Sequence, residues 1–319
     1  RNVCELLDGP DGMPTDLPSL RQNQWQAWVS IIIGCDNFCS YCIVPYVRGR
    51  ERSRPREDIL AEVEKLSSEG VKEIALLGQN VNSYGRDIYG ESNFAALLRE
   101  VNKIDDTRRI RFVTSHPKDL TEDIIEAATS SKVCEHFHLP IQAGSDRILE
   151  LMNRGYTQKQ YLNLVKRIRQ RIPSASITTD IIVGFPGETE DDFRETLRVI
   201  EEACFDQAFT FIYSPRQGTA AALMNNQVLP EVKNSRFNQL CELQNRINLE
   251  QNLKYSGKFV EILVEGPSKK NSGHLTGRTR TNKVVNFVGS PTFVGQFVRV
   301  KIEEVHTWYL KGSLQIENF

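Results

Sequence analysis

The chain has 319 residues, 39% of them hydrophobic and 25% charged, with a formal net charge of −1; these are the proportions of a folded protein long enough for more than one domain. No apolar run approaches the ~18 residues a bilayer span needs, so a membrane-spanning helix is excluded and a cytoplasmic location is expected. Seven cysteines, an odd number without secretory features, argue against a disulfide framework.

In chain order, residues 1–24 open loop-like, with prolines at 10, 14 and 18, and are expected to be a linker from a missing upstream domain. From 25 to 255, strand and helix patterns alternate. Short apolar, β-branched runs at 28–34, 72–79, 109–115, 136–142, 176–184 and 207–213 read as buried parallel strands. Between them, 54–70 repeats Ile59, Val63 and Leu66 at helical spacing and ends in Gly70. Thr189 with Asp192 three positions on predicts a capping box. Six such units in series predict an α/β fold, a parallel sheet wound into an open, partial (β/α)6 barrel. Polar and glycine-rich stretches follow every strand, which places one functional mouth at the strands' carboxyl ends. Residues 229–255 read as one long helix. From 256 to 319 five short alternating segments predict a small all-β barrel. This last part carries 9 Lys+Arg against 5 Asp+Glu, the remainder 31 against 36. A basic module on an acidic body points to a polyanionic partner.

The chemistry concentrates in "GCDNFCSYCIVPYVRGRERSR", residues 34–54. Cys35, Cys39 and Cys42 form C-x3-C-x2-C directly after the first strand; three thiolates on one short loop suit three corners of an iron–sulfur cubane. The alternative is structural zinc, which wants a fourth ligand that no nearby Cys or His pair offers. Arg48, Arg50, Arg52, Arg54 and Arg56 follow at once, and guanidinium is the side chain suited to phosphate. In the C-terminal module Arg278, Arg280 and Lys283 lie with Asn282 and Phe287, a mixture of charge and aromatic that favours single-stranded RNA. His116 and His138, at strand ends, read as hydrogen-bonded structural residues rather than catalysts.

C-x3-C-x2-C with Tyr41 before the last cysteine resembles the radical S-adenosylmethionine superfamily. More narrowly, "SHP" at 115–117, "HLPIQAGSDRILELMNRGYT" at 138–157, "TDIIVGFPGETEDDF" at 179–193, "YSPRQGTAAA" at 213–222 and "GRTRTNKVVNF" at 277–287 are similar to the MiaB-type tRNA methylthiotransferases. The closing residues resemble that family's TRAM domain. The resemblance implies a 4Fe–4S cluster on Cys35, Cys39 and Cys42, with no catalytic residue beyond it. It implies S-adenosylmethionine contacts at Gly78, Gln79, Asn80, Ser115, Gln142, Gly184 and Glu188, and RNA contacts at Arg48, Arg50, Arg52, Arg54, Arg278, Arg280 and Lys283. The expected reaction is methylthiolation of an isopentenylated adenosine beside the tRNA anticodon, with flavodoxin or ferredoxin as electron donor and a monomeric enzyme. Rival substrates within the same chemistry are threonylcarbamoyl-adenosine in tRNA and a ribosomal-protein aspartate; a non-catalytic zinc protein that binds RNA is the rival of another class. A second cluster, associated with sulfur delivery, is expected only in the missing upstream domain, because Cys4 alone cannot replace three thiols.

Overall fold

The computed structural model describes residue 21, residues 23–269 and residues 273–315; most of the expected linker, with Cys4, lies outside them. Six strands, β1 (Gln26–Ser30), β2 (Glu73–Leu77), β3 (Arg109–Phe112), β4 (His136–His138), β5 (Ser176–Val183) and β6 (Gln207–Ile212), alternate with helices. The principal helices are α1 (Arg56–Ser68), α2 (Phe94–Lys103), α3 (Glu122–Ala127), α4 (Asp146–Leu151), α5 (Gln158–Arg171), α6 (Glu190–Ala203) and α7 (Pro230–Leu253). β1, β2 and β3 pair in parallel, as do β4, β5 and β6. A parallel bridge from Ile110 to Val133 and the Ser115 N–H on His138 O (3.2 Å) carry the sheet between the two halves. β1 and β6 each have one strand neighbour, so the barrel stays open along the seam between them.

Local chemistry explains the helices. In α1, Glu57 and Asp58 occupy the first turn and Lys65 the last, matching the helix dipole, while Ile59, Val63 and Leu66 face the core. The expected capping box forms at the start of α6: the Thr189 side chain accepts from Asp192 N–H and the Asp192 carboxylate accepts from Thr189 N–H. Two strands end earlier than their apolar runs. β3 stops at Phe112, just before Thr114 turns the chain with left-handed backbone (φ 68°), and β4 stops at His138, just before Pro140, which has no N–H to give the ladder, although Gln142 still bridges to Ile181 of β5.

Along the strands, side chains alternate. Ala27, Val29, Ile74, Leu76, Phe137, Ile177, Ile181 and Ala208 pack outward into one large core with the helices. Their sequence neighbours therefore line the concave face.

After α7 comes a closed five-stranded barrel: β7 (Phe259–Pro267), β8 (His274–Thr279), β9 (Val284–Val288), β10 (Phe297–Val305) and β11 (Leu310–Leu314), in the order β8-β9-β11-β10-β7. Its core is Ile262, Val264, Leu275, Val285, Phe287, Val300, Ile302 and Leu310. Phe287, expected beside the basic residues that favour RNA, is thus fully buried inside the barrel instead.

The closed barrel docks under the amino ends of the parallel strands. Concave residues there are Glu73, Arg109, Arg111 and His136, all buried. Arg109 Nη1 donates to Arg278 O (2.9 Å), and Arg111 donates to Thr279 O (2.7 Å) and Arg280 O (3.0 Å). Arg111 Nε also pairs with Glu73 (2.9 Å). One end of the open barrel is thereby plugged, and the other, at the strands' carboxyl ends, holds the cysteines.

Candidate active site

The cysteine loop leaves the first strand at Gly34 and returns at Gly49–Arg50. Gly34 sits at φ 78°, and a Cβ there would come within 2.6 Å of Gly49 O and of the Arg50 carbonyl carbon, so only glycine lets the neck close. Cys35 N–H donates to Gly49 O (3.2 Å), Glu51 N–H to Asp36 Oδ1 (3.1 Å), and Arg50 Nε pairs with the same oxygen (3.0 Å). A short helix, Val44–Arg48, which the sequence reading did not anticipate, folds back beneath it. Phe38 takes a left-handed conformation (φ 46°), fixed by Asn153 Nδ2 on its carbonyl (3.1 Å) and on that of Asn37 (3.2 Å).

Arg154 anchors the middle cysteine. Its guanidinium is buried and donates to Pro140 O (2.8 Å), Tyr156 Oη (2.9 Å) and Cys39 Sγ (3.3 Å). Cys39 is buried, whereas Cys35 and Cys42 are half-exposed. Burial pushes the thiols of Cys35 and Cys42 up from the ordinary value. Among the described residues, no three His, Cys, Asp or Glu side chains converge on a point that a single metal ion could occupy.

The strand ends beside the loop carry the other expected contacts. Gln79 Oε1, Ser115 Oγ and His116 Nε2 are buried without a hydrogen-bond partner. Such groups are costly unless a polar ligand meets them, which is what a cradle for an ammonium, carboxylate or ribose would supply. Gly78 packs tightly on Ile32, where a Cβ would overlap the side chain. Asn80 is spent within the protein, donating to Asp119 (2.7 Å) and accepting from His116 N–H (3.2 Å). Gln142 aligns the turn after β4, its N–H on Asp180 O and its carbonyl accepting from Ile182 N–H, both 2.9 Å. Glu188 accepts from Gly184 N–H (2.8 Å) and pairs with Arg236 (2.8 Å), which fixes the glycine turn at the rim.

The arginines divide. Arg48 and Arg50 are exposed beside the cysteine loop. Arg52 is half-buried in a hairpin pairing Ile33 with it, and Arg54 is buried, bonded to Ser30 O (2.9 Å) and Glu62 (2.6 Å). In the closed barrel, Arg280 pairs with Glu135 and Lys283 with Asp206 (2.8 Å), both across the junction with the open barrel, while Arg278 pairs with Glu265 (3.0 Å). The sequence reading missed Arg154 and Asn153, which are distant in sequence and carry no spacing signal.

Comparison with known proteins agrees with this geometry. The model of the Radical SAM superfamily matches residues 29–200 and that of the TRAM domain residues 253–314. Among solved structures, the radical S-adenosylmethionine methyltransferase TsrM from Kitasatospora setae aligns with TM-score 0.52 at 17% identity, covering 62% of this chain and 38% of that one. Coproporphyrinogen III oxidase (HemN) from Escherichia coli aligns with TM-score 0.51 at 14% identity, covering 86% and 66%; at such identities the likeness concerns the fold. An open six-stranded barrel with three loop cysteines at its mouth places the chain in the radical SAM superfamily. Proteins named tRNA-2-methylthio-N(6)-dimethylallyladenosine synthase are much nearer: that of Acetivibrio thermocellus is 59% identical over 98% of this chain and 65% of its own length, that of Carboxydothermus hydrogenoformans 57% identical over 98% and 71%. The chain belongs to the family of these synthases and spans about two thirds of the length of such relatives.

Proposed function

We propose that this chain is the radical-generating and RNA-engaging part of an enzyme that methylthiolates an isopentenylated adenosine beside the tRNA anticodon. The single observation that carries the reading is the juxtaposition at one barrel mouth of three loop cysteines with the buried, unpartnered polar atoms of Gln79, Ser115 and His116.

Cys35, Cys39 and Cys42 would hold the 4Fe–4S cluster, and Gly78, Gln79, Ser115, Gln142 and Gly184 would line the S-adenosylmethionine beside it, with Asn80 and Glu188 holding the rim in shape. A cluster bound there supplies the electron that cleaves S-adenosylmethionine to a 5′-deoxyadenosyl radical. The chain's own share is positional: the neck at Gly34 and Gly49 fixes the loop, Arg154 fixes Cys39, and the closed barrel shuts the far end against water. Arg48 and Arg50, exposed beside the loop, and half-buried Arg52 would meet phosphate; Arg54, Arg278, Arg280 and Lys283 act first in holding the protein together. Residues 25–255 would form the radical domain and 256–319 the RNA-binding one. A second cluster, sulfur delivery, the flavodoxin or ferredoxin donor, the monomeric state and the cytoplasmic location belong to the same reading; no described helix is long and apolar enough to cross a membrane.

The test is anaerobic reconstitution with iron and sulfide, reduction, and measurement of 5′-deoxyadenosine formed from S-adenosylmethionine. Formation in the parent but not in the triple Cys35→Ala, Cys39→Ala, Cys42→Ala variant is expected. A colourless protein holding one zinc and releasing no 5′-deoxyadenosine would overturn it.

A further inference from the structure

A band of concave side chains in the open barrel is left largely uncovered by the core. Because Ala27, Val29, Phe137, Ile181 and Ala208 face the helices, Trp28 on β1, His138 on β4, Asp180 on β5 and Phe209 and Phe211 on β6 face the lumen. Trp28 is 70% exposed, Phe209 47% and Phe211 50%. His138, Asp180, Phe209 and Phe211 lie further along their strands toward the cysteine mouth than the floor residue His136, whereas Trp28 stands in register with Ala75 and through it with Arg111 of the floor. Large aromatics left this wet mark a binding surface rather than a core.

The same layer presents a donor and acceptor. His138 Nε2 lies 3.5 Å from Asp180 Oδ1, and its Nδ1 is 3.0 Å from Thr178 Oγ1. The His138 ring meets Phe209 edge to face with centroids 5.8 Å apart. Asp180 and Phe209 are register partners on adjacent strands. Flat aromatic faces around a carboxylate and an imidazole are the equipment with which proteins hold an unstacked base, by stacking on its face and hydrogen bonding along its edge.

We propose that this layer seats the substrate adenine, an inference that rests on the function proposed above and names the residues that would select its substrate. The base stacks on Phe209; the Asp180 carboxylate accepts the remaining N6–H, the His138 imidazole faces a ring nitrogen, and the apolar N6 substituent lies against Trp28 and Phe211. With the floor plugged, the base enters by the seam between β1 and β6, whose edges carry Trp28 and the two phenylalanines.

Fluorescence anisotropy with a labelled RNA stem–loop carrying N6-dimethylallyladenosine, and with its twin carrying plain adenosine, tests this in the chain as it stands, without turnover. The parent is expected to bind the modified RNA more tightly. Trp28→Ala and Phe211→Ala, which remove contacts to the N6 substituent, should each weaken the modified complex roughly tenfold, the scale of one base stacking contact, and leave the plain complex unchanged. Phe209→Ala and Asp180→Asn, which remove contacts to the base that both RNAs share, should weaken both complexes, Phe209→Ala by roughly tenfold on the same scale. All four should keep melting temperatures near the parent's, and Phe209→Trp should bind both RNAs as the parent does. A preference that persists undiminished in Trp28→Ala and Phe211→Ala, or a Phe209→Ala protein that binds both RNAs as tightly as the parent, overturns the assignment of this layer and leaves the proposed function standing. A parent that binds both RNAs alike, or neither, overturns the assignment together with the dimethylallyl substrate.

Discussion

Arg280 of the closed barrel lays its guanidinium on Glu135 of the open barrel, with Nε 3.0 Å from both carboxylate oxygens and Nη2 2.8 Å from one. The same Nη2 also donates to Val133 O (2.6 Å). Arg109 and Arg111 reach the other way, onto backbone carbonyls of residues 278–280. The two barrels therefore exchange arginines, each capping the other's backbone.

Removing one partner of this partly buried pair leaves Glu135 and a carbonyl unsatisfied. Arg280→Ala should cost about 1–3 kcal/mol and split the unfolding curve, the closed barrel melting apart from the open one. Scanning calorimetry reads both effects. A single transition at the parent's temperature would show that the pair does not couple the barrels.

Arg154 donates to Cys39 Sγ at 3.3 Å from a buried position. A cation and hydrogen bond beside a cluster ligand favour the more negative, reduced state. Arg154→Gln should therefore retain iron but lower the cluster's midpoint potential, and Arg154→Lys should lie between the two. A redox titration followed by electron paramagnetic resonance measures this; equal potentials in all three proteins would remove the arginine from the cluster's surroundings.

The barrel, the cysteine loop and the five-stranded module were legible because each has a local signature: apolar runs with punctuation, thiols at fixed spacing, alternation. Arginines were legible as residues but not as partners. Arg278, Arg280 and Lys283 look alike in sequence, and only the tertiary fold brings Glu265, Glu135 and Asp206 to meet them. Trp28 and Phe209 were equally hidden, since an apolar residue in a strand gives no sign of whether its face is filled. Thr114, beyond the end of β3, takes a left-handed backbone that its side chain does not advertise.

Two buried histidines set a pH dependence. Burial, aided by Arg154 and Lys118, pushes His116 down to about 2, and burial with Arg111 and His138 nearby pushes His136 well below its ordinary value. Both are neutral when folded, so they contribute nothing above pH ~6.5, and stability is lost as pH falls below that value because only the unfolded chain takes up the protons. His116 should cost about 2 kcal/mol between pH 7 and pH 5, and His136 acts in the same direction. Buried Glu51 and Glu188 and half-buried Glu265, whose carboxyls are pushed up by desolvation, act with the opposite sign, so the comparison must be with variants. Urea unfolding of His116→Gln and His136→Gln should show a shallower loss than the parent; identical pH slopes would contradict the argument.

Gly144 is where the turn after β4 meets α6. Its N–H donates to Thr196 Oγ1 (2.9 Å), and a Cβ on it would stand 2.7 Å from both Glu195 O and Thr196 N. Those atoms are helix backbone, which cannot rotate aside as a side chain would, so α6 itself would have to retreat. That helix carries the Thr189 cap and Asp192, and Asp192 in turn accepts from Ser145 Oγ (2.6 Å) and pairs with Arg147. Against the cost of its burial, these bonds hold the Asp192 carboxyl well below the usual range, so displacing the helix also strains a charged network. Gly144→Ala, although it adds one methyl group, should destabilise by about 2–3 kcal/mol, more than an exposed Gly→Ala, which the reduced freedom of the unfolded chain tends to favour. Chemical unfolding decides it, with exposed Gly90 unsuitable as control because of its φ of 81° and Ser174→Ala, on the surface before β5, serving instead. A Gly144→Ala protein as stable as the control would mean that α6 can shift without loss, and that the turn after β4 is not fixed by this contact.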